Sequence, residues 1–274
     1  MPDQTPKNVL ITGAAQGIGR CIARHYAEAG HRVFLVDINE EELTYTAKEH
    51  LKAHSSRLAY SICNLRSLDS IRETAAKAAK FFNDHIDILI NNAGIASPKW
   101  KDGKTMLDPS IMPQWQAYME TNLTAPFAMT QACLPYMKRP PEKAEDPTDP
   151  GPCVILVGSF RAHQSDPDQE GYAATKAGLI GLMHAMAVSC ERWGVRVNLV
   201  APGRVKVAHE SKEGDQKGKT WEGQEGSEDA EQHPAGRAGT PEDIFHAVQY
   251  LVDAGWVTGQ DLTVDGGVLR KKNR

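Results

Sequence analysis

Cysteine, aromatic side chains and long apolar runs are all scarce in this chain, and each scarcity removes a class of protein. Of 274 residues only five are cysteine, at positions 21, 63, 133, 153 and 190. Their number is odd, their spacing is wide, and no CxxC or Cys/His cluster shows metal-ligand spacing. Free thiols in a reducing compartment are therefore expected, with no disulfide framework and no metal. Cys153, inside an apolar run, reads as a small core residue. No apolar run approaches the roughly 18 residues of a membrane-spanning helix. The opening MPDQTPKNVLITG lacks the charged-then-apolar layout of a secretion signal. The expectation is a cytoplasmic protein with no membrane partner. Charge of one sign is not in excess either, the net charge being −4. The one basic cluster is Arg270-Lys271-Lys272-Asn273-Arg274, so nothing points to nucleic acid.

What is present is a rhythm. Short β-branched runs (Asn8–Thr12, Arg32–Val36, Leu58–Ile62, Ile86–Ile90, Cys153–Gly158, Val195–Val200 and Asp261–Val264) alternate with helix-length stretches such as Gly19–Ala29 and Leu68–Phe82. The runs are almost continuously apolar, as strands buried on both faces are. Alternating β and α units predict an α/β fold of Rossmann type. Its sheet would be doubly wound, seven-stranded and parallel, with helices on both faces. All 274 residues then read as one domain.

Two segments break the rhythm. Residues 138–152 (KRPPEKAEDPTDPGP) are charged and proline-rich, and read as an exposed loop. Residues 206–234 are rich in Gly, Glu, Lys and Gln and contain the lone Trp221. Composition alone describes a disordered surface loop or a mobile lid over a site.

The first strand leads into Gly13-Ala14-Ala15-Gln16-Gly17-Ile18-Gly19 and then a helix. Strand, glycine turn and helix start form a phosphate cradle. Gly13 permits the turn, Gly17 lets backbone approach a pyrophosphate, and Gly19 allows close helix–strand packing. Strand two ends at Asp37, where a carboxylate can accept from both adenosine ribose hydroxyls and repel a 2′-phosphate. NAD(H) is thus expected in preference to NADP(H). Further on, Tyr172 and Lys176 lie four apart on a helical stretch, Tyr172 to Cys190, and share one face. A nearby ammonium favours phenolate, and Tyr172 can then exchange a proton with a substrate oxygen. Ser159, at the C-terminal end of the fifth strand, can hold that oxygen as charge develops.

These residues, together with Asn91-Asn92-Ala93-Gly94, Asn122, Pro202-Gly203, Thr258-Gly259-Gln260 and Val264-Asp265-Gly266-Gly267, occur in an order and spacing that resembles the short-chain dehydrogenase/reductases. The resemblance covers nearly the whole chain. It implies Asn122, Ser159, Tyr172 and Lys176 as the catalytic set. Lys176 would hydrogen-bond the nicotinamide ribose, and Asn122 would hold a water relaying protons. It implies cofactor contacts from Gly13, Gln16, Gly17, Ile18 and Gly19 and from Asp37, Asn64 and Leu65. Asn91, Ala93 and Gly94 would add to these, as would Tyr172, Lys176, Pro202, Gly203 and Val205. It also puts a substrate lid at 206–234 and implies a homo-oligomer, tetramer or dimer. Three positions depart from the family pattern. Val207 stands where a Thr often holds the carboxamide, Asn64 where an acid often meets the adenine, and Ala162 where a Gly often follows the catalytic Ser.

Arg161 and His163 beside Ser159, and Trp221 in the 206–234 segment, are the candidate substrate residues. Such a polar mouth suits a sugar, polyol or keto acid. The expected activity is reversible hydride transfer between NAD(H) and a secondary alcohol or ketone. The alternatives are a 3-oxoacyl-type or other carbonyl reductase using NADPH, and a non-catalytic NAD(H)-binding sensor.

Overall fold

A computed structural model describes residues 5–139 and 148–271. Much of the 138–152 segment, residues 140–147, lies outside the described residues.

The seven runs form one parallel sheet. Its strands are β1 (Asn8–Thr12), β2 (Arg32–Asp37), β3 (Leu58–Ile62), β4 (Ile88–Asn91), β5 (Cys153–Val157), β6 (Arg196–Pro202) and β7 (Asp261–Val264). The spatial order is β3-β2-β1-β4-β5-β6-β7, and every neighbouring pair runs parallel. The order reverses between β1 and β4, and ligands bind at the carboxyl ends of the strands beside such a switch.

Side chains alternate across β1 into two cores. Val9 and Ile11 pack with α1 (Gly17–Glu28), α2 (Glu40–Tyr45) and α9 (Pro241–Asp253). Leu10 faces the opposite layer of α3 (Leu68–Phe81), α5 (Ala125–Cys133) and α6 (Glu170–Ser189). Between α4 (Met112–Tyr118) and α5 the chain winds as a π-helix, Met119–Thr124, which carries Asn122. The stretch Glu170–Trp193 is long and apolar enough to cross a bilayer by length and composition. Its Leu179, Met183 and Met186 are buried in the core of this sheet.

The 206–234 segment is more regular than its composition suggested. It holds α7 (Lys212–Lys217) and α8 (Ser227–Gln232). Local hydrogen bonds account for both. Ser211 Oγ accepts from Gly214 N at 2.9 Å to cap α7, and Asp229 Oδ2 accepts from Gly226 N at 2.9 Å to open α8. Sparse aliphatics do not prevent a helix whose ends are capped and whose charges are paired.

Candidate active site

The glycine turn lies at the carboxyl end of β1, against the β4 turn. A Cβ on Gly13, whose φ is +65°, would stand 2.7 Å from the Ala93 Cα. One on Gly19 would stand 2.0 Å from the Gly13 carbonyl oxygen. No side chain fits at either position, so backbone alone forms this wall. The β4 turn is sewn to it. Thr12 Oγ1 accepts from both Asn92 N and Ala93 N at 3.1 Å, and Asn92 Nδ2 donates to Gly13 O at 2.9 Å. Asn91 turns inward and donates to Thr130 Oγ1 at 3.2 Å. Asp37 is held at the rim by Ala15 N (3.1 Å) and Asn39 N (3.0 Å), one amide on each carboxylate oxygen.

From this wall a cleft of about 2230 Å³ runs across the strand ends. Gly13, Gln16, Gly17 and Ile18 line one end with Asp37, Asn64 and Leu65. Ala93, Gly94, Ser159, Tyr172 and Lys176 line the middle, with Pro202, Gly203 and Val205 beyond them. Gly19, Asn91 and Asn122 stand behind the lining. A Cβ on Gly94 would crowd Asn122 Oδ1 at 3.1 Å, so main chain is exposed to the cleft there as well.

Ser159, Tyr172 and Lys176 converge. Ser159 Oγ accepts from Arg161 N at 3.1 Å, which leaves its own hydrogen for another oxygen. Burial pushes the Tyr172 phenol above its ordinary pKa, while a hydrogen bond with Ser159 and the Arg161 charge pull it back. Burial lowers Lys176 to about 8. Its Nζ donates to Val157 O at 2.9 Å and lies 5.6 Å from the centre of the Tyr172 ring. The lysine is committed to a carbonyl, and burial is the largest influence on the phenol. Asn122 is engaged as well, with Oδ1 accepting from Ile95 N at 2.8 Å and Nδ2 donating to Ile95 O and Thr175 Oγ1, each at 3.4 Å.

Residues not foreseen from the sequence brace this centre. Trp100 is buried. Its Nε1 donates to Glu170 Oε2 at 2.8 Å, and its ring meets Tyr118 at 5.9 Å. Tyr118 in turn meets the Tyr172 ring edge-on at 6.3 Å. A Cβ on Gly171 would stand 2.7 Å from both aromatics, so only glycine fits there.

The three substrate candidates part ways. Arg161 lines the cleft, paired with Asp166 and lying over the Phe160 ring. His163 does not line it. Its Nε2 meets Asp261 Oδ2 of β7 at 2.6 Å, because the turn after Ser159 carries it sideways along the sheet. Trp221 is also elsewhere, its Nε1 donating to Gly239 O at 3.1 Å under the Arg237 guanidinium. His233, which composition gave no reason to single out, does line the cleft. Its Nδ1 meets Asp229 O at 2.7 Å, and its Nε2 has no hydrogen-bond partner among the described residues.

A nicotinamide dinucleotide, which supplies or accepts hydride when bound, fits these walls. The backbone-lined turn suits a pyrophosphate, and the rim carboxylate of Asp37 suits a ribose. What the chain itself supplies is a phenol to exchange a proton with a substrate oxygen, a hydroxyl to hold that oxygen, and a buried cation beside both.

Comparison with known proteins agrees with this geometry. Residues 13–269 match a family model described as "Enoyl-(Acyl carrier protein) reductase". An uncharacterized oxidoreductase of Thermotoga maritima is 33% identical over 269 residues, covering 97% of this chain and 96% of its own. A 3-oxoacyl-[acyl-carrier-protein] reductase FabG of the same organism is 30% identical over 265 residues, covering 96% and 98%. Among solved structures, a 7α-hydroxysteroid dehydrogenase complexed with NADH and 7-oxo glycochenodeoxycholic acid superposes with a TM-score of 0.77. It is 29% identical and covers 97% of this chain and 96% of its own. The chain belongs to the short-chain dehydrogenase/reductase family and is an oxidoreductase of alcohol and ketone groups.

Proposed function

We propose that this enzyme transfers hydride reversibly between NAD(H) and the secondary alcohol or ketone of a small polar compound such as a sugar, polyol or keto acid. The observation that carries the cofactor preference is Asp37, pinned at the rim of the same cleft that holds Ser159, Tyr172 and Lys176. Glu40, Glu41 and Glu42 follow it in the first turn of α2, making that rim acidic. Of the basic residues nearby, Arg66 is held by Glu120 at 2.5 Å and Lys212 by Glu41 at 2.7 Å. A 2′-phosphate would meet repulsion there. The polar substrate end, with Arg161, Gln164, Arg204, Gln232 and His233, supports a hydroxylated or anionic substrate over a long apolar one.

The 206–234 segment closes this cleft as a lid in our reading, and one domain serves both ligands. Phe127 on α5 and Val188 on α6 are exposed apolar groups that support a homo-oligomer. Five buried free thiols accord with a cytoplasmic setting.

The FabG relatives favour a second reading, a 3-oxoacyl-type reductase using NADPH. Oxidation of NADH and NADPH, followed by absorbance against a panel of keto acids, ketoses and 3-oxoacyl thioesters, separates the two. We expect NADH with polar ketones to give the higher kcat/KM, and Asp37→Ala to move the NADH/NADPH ratio toward NADPH by tenfold or more, on the order of 1.4 kcal/mol. A preference for NADPH with 3-oxoacyl thioesters would establish the second reading. Tight NADH binding without oxidation by any ketone would indicate a sensor.

A further inference from the structure

Outside the lining of the cleft, Cys21 and His25 stand one turn apart on α1, on the same face. Glu242, in the first turn of α9, closes against them although it is 221 residues from Cys21. One ligand atom from each of the three lies within 4.8 Å of the others. The edge of a tetrahedral zinc site is about 3.5 Å with ordinary Zn–S, Zn–N and Zn–O bonds, so modest side-chain rotation closes the set. Thiolate, imidazole and carboxylate are each common zinc ligands, and water takes the fourth position in a three-ligand site.

Two further features point the same way. His25 stacks on Phe245 of α9 at 4.1 Å and 11°, which fixes the plane of its ring. Its Nε2 is buried and has no hydrogen-bond partner among the described residues. A cation already sits at the carboxylate: Arg24 Nη2 is 2.8 Å from Glu242 Oε1 and 3.7 Å from Cys21 Sγ. It is also 2.8 Å from Glu210 Oε1 and so keeps a partner if it leaves Glu242.

We propose that Cys21, His25 and Glu242 form a zinc(II) site that clasps α1 to α9. On binding, the Cys21 S–H bond breaks and a sulfur–zinc bond forms. The proton passes to buffer, and Arg24 stays with Glu210. Sequence reading dismissed this cysteine because its third partner comes from the far end of the chain.

The probe is cobalt(II), which gives a thiolate-to-metal charge-transfer band in the near ultraviolet and is displaced by zinc(II). We expect the full-length enzyme to give the band with one equivalent of Co²⁺. Cys21→Ser, which is nearly isosteric, should abolish it, and His25→Asn should weaken Co²⁺ affinity by about tenfold or more. Arg24→Gln, which removes the competing cation, should strengthen it. Circular dichroism melts identify any variant that fails to fold; for such a variant, the Arg24→Gln titration and the wild-type band decide. A wild-type protein without the band, a band that survives Cys21→Ser, or an affinity unmoved by Arg24→Gln would each overturn the site.

Discussion

At the dinucleotide end of the cleft the walls are main chain in close contact. At the 206–234 end they are long side chains in ion pairs. Gly19 and Arg20, adjacent on α1, belong one to each. Gly19 leaves no room for a single carbon against the Gly13 carbonyl. Arg20 is 1% exposed, and its Nη2 reaches Asp215 of α7 at 2.6 Å. Its Nε lies 3.0 Å from Glu210 Oε2, close enough for charge attraction although short of hydrogen-bond geometry. Gly17 N donates to the Glu210 carbonyl at 2.7 Å, so the 206–234 strap reaches the glycine turn itself. Contacts between backbones tolerate no change, because neither partner can rotate away. Ion pairs between flexible groups hold a segment in place yet let it detach without disturbing the sheet.

Four measurements would break or sharpen this contrast. The largest effect belongs to neither wall but to the group between them. Tyr172→Phe should cut turnover by roughly 10²–10⁴ while leaving NADH affinity within a few-fold, as read by initial rates and cofactor fluorescence. Retained turnover would remove the phenol from the proton step.

Gly19→Ala should cost about 3 kcal/mol or more and weaken dinucleotide binding, seen as a large drop in Tm. A melt within a degree of wild type would mean the turn yields more readily than its packing implies. Arg20→Met should cost about 3 kcal/mol, with the loss localised in the strap. Trypsin should then cut first at Lys217 or Lys219, and KM for the second substrate should rise more than that for the dinucleotide. Uniform proteolysis across the chain would refute a detachable strap.

The last effect is electrostatic and appears only over a window of pH. Lys176 titrates near 8 in the folded chain against an ordinary 10.5, so the unfolded state binds more protons between those values. Its charge therefore opposes folding in full below about pH 8, and that penalty fades as pH rises toward 10.5. Relative to Lys176→Met, the wild type should gain up to ~3 kcal/mol in urea unfolding between pH 8 and 10.5. A difference that stays flat across that window would place the ammonium in water.

Legibility followed the range of the interactions. All seven strands could be read from the chain: the inner five carry the apolar signature of burial on both faces, and the partly exposed edge strands β3 and β7 stood out as short runs between helix-length stretches. β1, β3 and β7 have the expected bounds, and the other four differ by one or two residues at an end, as with β6 running on through Pro202. The glycine turn, Asp37 and the Ser159–Tyr172–Lys176 spacing were equally local. His163 was misplaced because its partner Asp261 lies 98 residues away, and nothing near His163 announces it. Trp221 looked like a site residue for want of other aromatics nearby, yet its indole serves the Gly239 carbonyl.

What the sequence determined by itself is thus the sheet, the backbone cradle and the candidates for the reacting groups, since periodicity, glycine placement and spacing are properties of neighbouring residues. Tertiary structure alone decided how those groups are charged and what surrounds them. Burial pulled Lys176 down, α7 brought Asp215 onto Arg20, and α9 brought Glu242 onto Cys21. Desolvation and pairing depend on which distant surfaces meet, and only the folded chain fixes that.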